Sequence, residues 1–261
     1  MQQLLRRIAR RLLRRPSAPP PAPPIDRIEG SARVRTFDVA GQELLLGDAV
    51  GAKALDIIVT EIGVGAYDFS DITFEPGDVV VDLGAHVGAV SIWLAKKYPG
   101  LKIYAYEPIP ESFSQLQANL ERNDITNVVA FNVAVTGDGR DLEMVVWLDD
   151  NSAGGTAVYA DPDNPAFEGR SRHVPSTTLD EIFAANGIER CKMLKIDIEG
   201  GEYEVLPATT ILDRVEHVRG EFHYNTNLKS QGLLMGDLGA KVEAIVGPGR
   251  VRYTECPMVD F

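Results

Sequence analysis

Four short segments gather side chains able to bind or activate a small polar molecule. They are Asp82-Leu83-Gly84-Ala85-His86-Val87-Gly88, Glu107-Pro108, Lys195-Ile196-Asp197-Ile198-Glu199-Gly200-Gly201-Glu202, and Glu221-Phe222-His223. In the first, Gly84 and Gly88 let the backbone turn tightly and approach a ligand with no Cβ in the way. Their spacing is G-x-x-x-G behind a carboxylate, which differs from the G-x-G-x-x-G dinucleotide fingerprint. Glu107 follows Asp82 by 25 residues, about where a ribose-binding acid belongs in a mononucleotide-binding half. A carboxylate accepts two hydroxyl hydrogen bonds at once. A glycine turn with a strand-terminal acid on each side therefore reads as a nucleoside site.

In an extended segment Lys195, Asp197 and Glu199 share one face, and Ile196 and Ile198 take the other. A buried sheet tolerates such charges only when they are paired. Asp197 and Glu199 are therefore expected to emerge beside the glycine turn in active-site roles, and Lys195 to pair with a carboxylate. Glu199 or Glu202 would also suit the first turn of the next helix. Glu221 and His223 share a face in the same way. His223 could remove a proton from an acceptor hydroxyl as general base. Alternatively, Asp197, Glu221 and His223 could hold a divalent cation that lowers the hydroxyl's pKa. Spacing does not decide between the two, and His173 and His217 have no such constellation.

The elements that must position these groups alternate from residue 76 onward. Val79-Val80-Val81 and Leu101 to Tyr106 read as apolar strands around a helix from Ala89 to Lys97. A helix from Pro110 to Asn123, a strand from Asn127 to Val135 and a hairpin strand from Leu142 to Leu148 follow. Thr178 and Glu181 make a capping box for another helix. Beyond it come a strand from Met193 to Ile198, a helix over 201–212 disturbed by Pro207, and a strand from His217 to Tyr224. Lys241 to Val246 and Arg250 to Cys256, joined by Gly247-Pro248-Gly249, read as a terminal antiparallel hairpin. Continuous apolar strands alternating with helices imply a parallel sheet covered on both faces.

Together Val80 to Gly88, Tyr106-Glu107-Pro108, Thr178-Leu179-Asp180, Leu194 to Glu202 and Glu221-Phe222-His223 resemble the FkbM family of S-adenosylmethionine-dependent methyltransferases, in order over about residues 76–224. The resemblance implies an α/β, Rossmann-like class I methyltransferase fold with a seven-stranded, mostly parallel sheet. It also implies methyl transfer to a hydroxyl of a sugar, glycolipid or natural product. Asp82, Gly84, Ala85, His86 and Gly88 would then surround the amino-acid part of S-adenosyl-L-methionine, with Glu107 and Pro108 at its ribose. Asn132, two residues before Ala134, would meet the adenine amino group, or else bond its own loop backbone. Where this chain has His86, family members commonly have asparagine. The enzymatic rival is a nicotinamide dehydrogenase, and the non-enzymatic one is a nucleoside-binding or interaction protein on the same fold.

The 261 residues are 44% apolar and 25% charged, enough for one sizeable core. With two cysteines, Cys191 and Cys256, no disulfide framework arises, which fits a reducing, cytoplasmic setting. The net charge is -12, yet six arginines occupy the first fifteen residues; without them 20 bases face 38 acids. So acidic a body disfavours nucleic acid. Residues 1–15 form a basic amphipathic tail suited to peripheral contact with an anionic membrane or a partner, and too short to span a bilayer. Residues 16–24 are a proline-rich linker and 25–75 a lead-in to the methyltransferase domain at 76–261. The irregular stretch between Asp149 and Pro175 is a candidate acceptor lid.

Overall fold

The computed structural model describes residues 25–145, 171–224 and 226–257. The basic tail, the proline-rich linker and nearly all of the candidate lid lie outside the described residues. The lead-in opens as an antiparallel meander of β1 (Asp26–Glu29), β2 (Ala32–Val39) and β3 (Gln42–Ala49). Ala32 and Val34 of β2 are buried while Arg33 between them is exposed, the alternation of a half-buried strand. Ala40 and Gly41, both at positive φ (49° and 80°), make the two-residue connection between β2 and β3. Helix α1 (Ala54–Val64) follows and ends at Gly65 in the left-handed conformation.

Strand and helix then alternate as β4 (Val79–Leu83), α2 (Ala89–Lys97), β5 (Lys102–Tyr106), α3 (Pro110–Arg122) and β6 (Val128–Phe131). Four short strands come next: β7 (Ala134–Val135), β8 (Leu142–Val145), β9 (Ser171–Val174) and β10 (Ser176–Thr177). After them come α4 (Leu179–Ala185), β11 (Cys191–Ile196), α5 (Glu202–Ala208) and β12 (Val215–Tyr224). The described chain closes with α6 (Thr226–Ser230), α7 (Met235–Val246) and β13 (Val251–Pro257).

The central sheet runs β13-β12-β11-β4-β5-β6, and every neighbouring pair is parallel. Counted within the sheet, that is the doubly wound Rossmann-like order 3-2-1-4-5-6, reversing between β4 and β11. The expected fold class therefore holds, with six strands among the described residues instead of seven. The expected terminal hairpin does not form. Lys241 to Val246 is the end of the twelve-residue α7, whose Leu238, Val242 and Val246 are buried at one-turn spacing. α7 is the crossover that brings β13 in parallel beside β12. The expected strand over 127–135 is also interrupted: β6 ends at Phe131, and β7 pairs instead with β10. β8 pairs with β9, across residues that are not described.

Alternating side chains of the central strands feed two cores. Val81, Leu83, Leu194, Ile196 and Phe222 pack with α4, α5 and α7. Val80, Ile103 and Met193 pack with α2 and with Leu44, Leu46 and Leu55 of the lead-in. The lead-in thus covers one face of the sheet. Buried Asn119 of α3 secures it: its amide donates to Gly47 O and Val87 O at 2.9 Å each, and its Oδ1 accepts from Gly47 N at 2.7 Å. On the same face the Trp93 indole donates to Val39 O at 3.0 Å.

Candidate functional site

The carboxyl ends of β4, β5, β11 and β12 converge at the reversal of strand order, where open α/β sheets bind ligands. The turn after β4 requires glycine. Gly84 has φ 76°, and a Cβ there would lie 1.8 Å from Asp197 O on the neighbouring strand end. Gly84 and Ala85 donate backbone N–H bonds to Tyr106 O at 2.9 and 3.0 Å, tying the turn to β5. His86 is also left-handed (φ 51°), and Gly88 (φ 86°) precedes α2.

Glu107, at the end of β5, is 5% exposed. Its Oε2 accepts from His86 N at 2.8 Å and its Oε1 from Ile109 N at 2.9 Å, so the carboxylate is fixed in orientation beside the turn. Burial, opposed by those two bonds, pushes its pKa up to about 7. Asn132 donates through Nδ2 to Glu107 O at 2.8 Å and Pro108 O at 2.9 Å, which shapes the loop after β5 and accounts for the break after β6. Ala134 is buried in a small cluster with Ile109, Leu142, Met144 and Val174, behind that loop.

Asp82 lies beneath the turn, fully enclosed. Its Oδ2 accepts from Ser91 Oγ at 2.7 Å and its Oδ1 is 3.3 Å from Lys195 Nζ. Lys195 is buried as well, donates to Gly84 O at 2.7 Å and stands 3.3 Å from Asp197 Oδ2. Burial would lower its pKa, but the Asp82 and Asp197 charges outweigh that and raise it, so the ammonium persists. The lysine joins the ends of β4 and β11, the pairing its place in the sequence required.

Past Asp197 the chain turns through Glu199 (φ 53°) and Gly200 (φ 100°) into α5. Glu202, the first residue of α5, is fully buried. Its Oε1 accepts from Ile198 N at 2.9 Å and its Oε2 from Gly200 N at 3.0 Å. Oε1 also meets His223 Nδ1 at 3.1 Å. The other ring nitrogen, Nε2, faces Glu199 at 3.5 Å, Glu221 at 3.7 Å and Asp197 at 3.8 Å. Burial alone would lower the imidazole's pKa. The Glu202 bond and the surrounding carboxylates prevail and raise it to about 10. The surrounding carboxylates thus favour the protonated imidazole. Burial raises the Glu199 carboxyl to about 8, and burial together with Asp197 raises that of Glu221.

The sequence-predicted residues thus gather as two groups: Asp82, Gly84, Ala85, His86, Gly88, Glu107, Pro108 and Asn132 around the β4 and β5 ends, and Asp197, Glu199, Glu221 and His223 at the β11 and β12 ends. Three contributors escaped the sequence reading. Glu61 of α1 is pushed up to about 7 by burial and by the Glu221 and Asp197 charges, and the Tyr67 hydroxyl donates to it at 3.5 Å. The Cys256 thiol donates to Glu221 Oε2 at 2.7 Å. Glu61 carried no signal in the lead-in, whereas Cys256 follows from placing β13 parallel to β12.

The family model for the methyltransferase FkbM domain matches residues 82–239. Methyltransferase sdnD of Sordaria araneosa is 28% identical over 166 residues, covering 54% of this chain and 62% of that protein. The 31-O-demethyl-FK506 methyltransferase FkbM of Streptomyces tacrolimicus is 27% identical over 181 residues, 58% of this chain and 68% of that one. The hexuronic acid methyltransferase AglP of Haloferax volcanii is 24% identical over 170 residues, 65% of this chain and 66% of that one. The chain therefore spans about three fifths to two thirds of these relatives' lengths. With the matched segment running from Asp82 in β4 to Gly239 in α7, the chain belongs to the FkbM methyltransferase domain family.

Proposed function

We propose that the protein is an S-adenosyl-L-methionine-dependent methyltransferase that methylates a hydroxyl of a sugar, glycolipid or natural product. The observation that carries this reading is Glu107, whose two oxygens are oriented by His86 N and Ile109 N beside a glycine turn that excludes any Cβ. Each oxygen keeps a second lone pair for a ribose hydroxyl. Gly84, Ala85, His86 and Gly88 flank the amino-acid part of the cofactor. Asp82 works from below by fixing Lys195 and the turn. Asn132 shapes the loop with its amide and offers its carbonyl oxygen to the adenine amino group, with Pro108 beside it and Ala134 supporting the loop from behind. When bound, the cofactor supplies a methyl group activated on a sulfonium.

Asp197, joined by Glu199 and Glu221 where they ionise, places negative charge at the adjoining strand ends, which favours a cationic cofactor over its neutral product. They also hold and orient the acceptor hydroxyl, and most of the acceleration would come from that alignment. Transfer to oxygen is supported by the name of the relative acting on 31-O-demethyl-FK506, and a sugar acceptor by the hexuronic acid methyltransferase. Residues 1–15 would give a cytoplasmic enzyme a peripheral contact with an anionic membrane or a partner, and no helix among the described residues is long and apolar enough to cross one.

The test is calorimetric titration of S-adenosylmethionine, S-adenosylhomocysteine and NAD into the full chain and into Glu107→Ala, with folding checked by circular dichroism. Binding of the first two, weakened in the variant, is expected. NAD is the competing titrant because the all-parallel strand order also suits a dinucleotide. Binding of NAD alone would overturn the reading.

A further inference from the structure

We infer that His223, Asp197, Glu199 and Glu221 form a site for one hard divalent cation of the Mn2+ or Mg2+ type. Asp197, Glu199 and His223 can each offer a ligand atom with all three atoms within 4.8 Å of one another, and Glu221, His223 and Cys256 can do the same. The imidazole is shared by both sets. A cation bound to oxygen and nitrogen at about 2.1 Å holds neighbouring donors roughly 3 Å apart. From Nε2 the three carboxylates stand at 3.5, 3.7 and 3.8 Å, each within an ångström of that spacing.

A crowd of acids would not by itself make a site; the second observation is the histidine. His223 is 5% exposed and aims Nε2 into the carboxylates. Its Nδ1 is held by Glu202, the carboxylate–histidine arrangement that fixes the tautomer and ring plane of a metal-bound imidazole. The same Glu202 accepts from Ile198 N and Gly200 N, which flank Glu199. One buried carboxylate therefore sets both the ring and the loop bearing a second donor. The Lys195 ammonium is shared between Asp82 and Asp197 and so offsets only part of the carboxylate charge. Cys256 donates its thiol proton to Glu221 and so orients that carboxylate. Three carboxylates and one imidazole suit a hard or borderline ion. The role of the ion, ligating the acceptor oxygen and lowering its pKa, rests on the methyl-transfer reading; the site itself does not.

The experiment is an electron paramagnetic resonance titration of Mn2+ into the chelator-treated full chain, with Mg2+ as competitor. One Mn2+ per chain is expected, with affinity at least tenfold weaker in Asp197→Asn and Glu199→Gln, and about 10- to 100-fold weaker in Glu202→Gln, which acts through His223. Cys256→Ser, whose hydroxyl can still donate to Glu221, should weaken it by less than either carboxylate variant. Thermal melts establish folding, and Glu199→Gln, at a side chain 31% exposed, keeps the test open if a buried variant fails to fold. Absence of Mn2+ binding by the folded wild type, or unchanged binding in both Asp197→Asn and Glu199→Gln, overturns the site. So does binding of Zn2+ alone that is lost in Cys256→Ser. S-adenosylmethionine titrated into the chelated protein separates the two proposals. Cofactor binding with no Mn2+ binding defeats only the cation site, and the converse upholds the site while defeating methyl transfer.

Discussion

Glu107 couples the proposed cofactor site to pH in a direction that can be worked out. Its ordinary value is 4.5, and burial raises it to about 7 in the folded protein. A carboxyl raised on folding favours the folded state below 4.5 and loses that contribution as pH rises through 7. The ionised form, which accepts two ribose hydroxyls, is gained in the folded protein as pH rises through 7. Affinity for S-adenosylmethionine should therefore strengthen from pH 6 to 8 while this carboxyl's contribution to stability fades. Glu107→Gln should bind roughly 10- to 100-fold more weakly, the cost of a charged hydrogen bond, and its pH profile should be flatter. Calorimetry at three pH values checks both, and equal slopes in the two proteins would count against Glu107. Gly84→Ala acts differently, because its Cβ would sit 1.8 Å from Asp197 O at a φ of 76°. It should lose at least about 3 kcal/mol in urea unfolding, as overpacking and a left-handed alanine add.

At the scale of elements, legibility followed how far each pattern was local. The runs that became β4, β5 and β11 were plain because buried parallel strands are continuously apolar. The start of α4 was equally plain: Thr178 Oγ1 accepts from Glu181 N at 3.1 Å and Glu181 Oε2 accepts from Thr178 N at 3.0 Å. The C-terminus was misread because Gly247-Pro248-Gly249 between two short apolar runs imitates a hairpin turn. From Met235 onward the spacing of Leu238, Val242 and Val246 is that of a helix face. The break between β6 and β7 had no local signal, since Asn132 reaches backbone 24 and 25 residues away. Arg219 of β12 is another long-range fixture, fully buried and donating to Asp68 O, Val218 O and Arg250 O as well as to Asp71 Oδ1 at 2.7 Å. Arg219→Met would take a donor from three carbonyls, of which Arg250 O keeps its bond from Val218 N, and should lower stability by about 3–5 kcal/mol. Asp71→Asn should cost clearly less, because Asp71 is 31% exposed and water can take over its role. Equal losses in denaturant melts would show that the ion pair, and not the backbone bonds, is what Arg219 supplies.

For the molecule as a whole, the lead-in is the piece that sequence separates and packing joins. Nothing in residues 25–75 announces chemistry, yet α1 brings Glu61 toward the Asp197 and Glu221 charges, and β3 and α1 bury Leu44, Leu46 and Leu55 against α2. Removing that layer would uncover Ile92, Trp93 and Leu94, each at most 4% exposed, and would strand the amide of Asn119. Each large apolar side chain laid bare forfeits about 1.5–3 kcal/mol, and a few suffice to exceed the net stability of a typical domain. A chain beginning at residue 76 should therefore fail to melt cooperatively and should expose apolar surface to a hydrophobic dye. A chain beginning at residue 25 should melt like the full protein, because no described core residue precedes Ala32. Paired calorimetric melts of the two truncations decide the matter. A cooperative transition in the shorter one would mean that the sheet with its C-terminal helices folds alone and that the lead-in is an added cover.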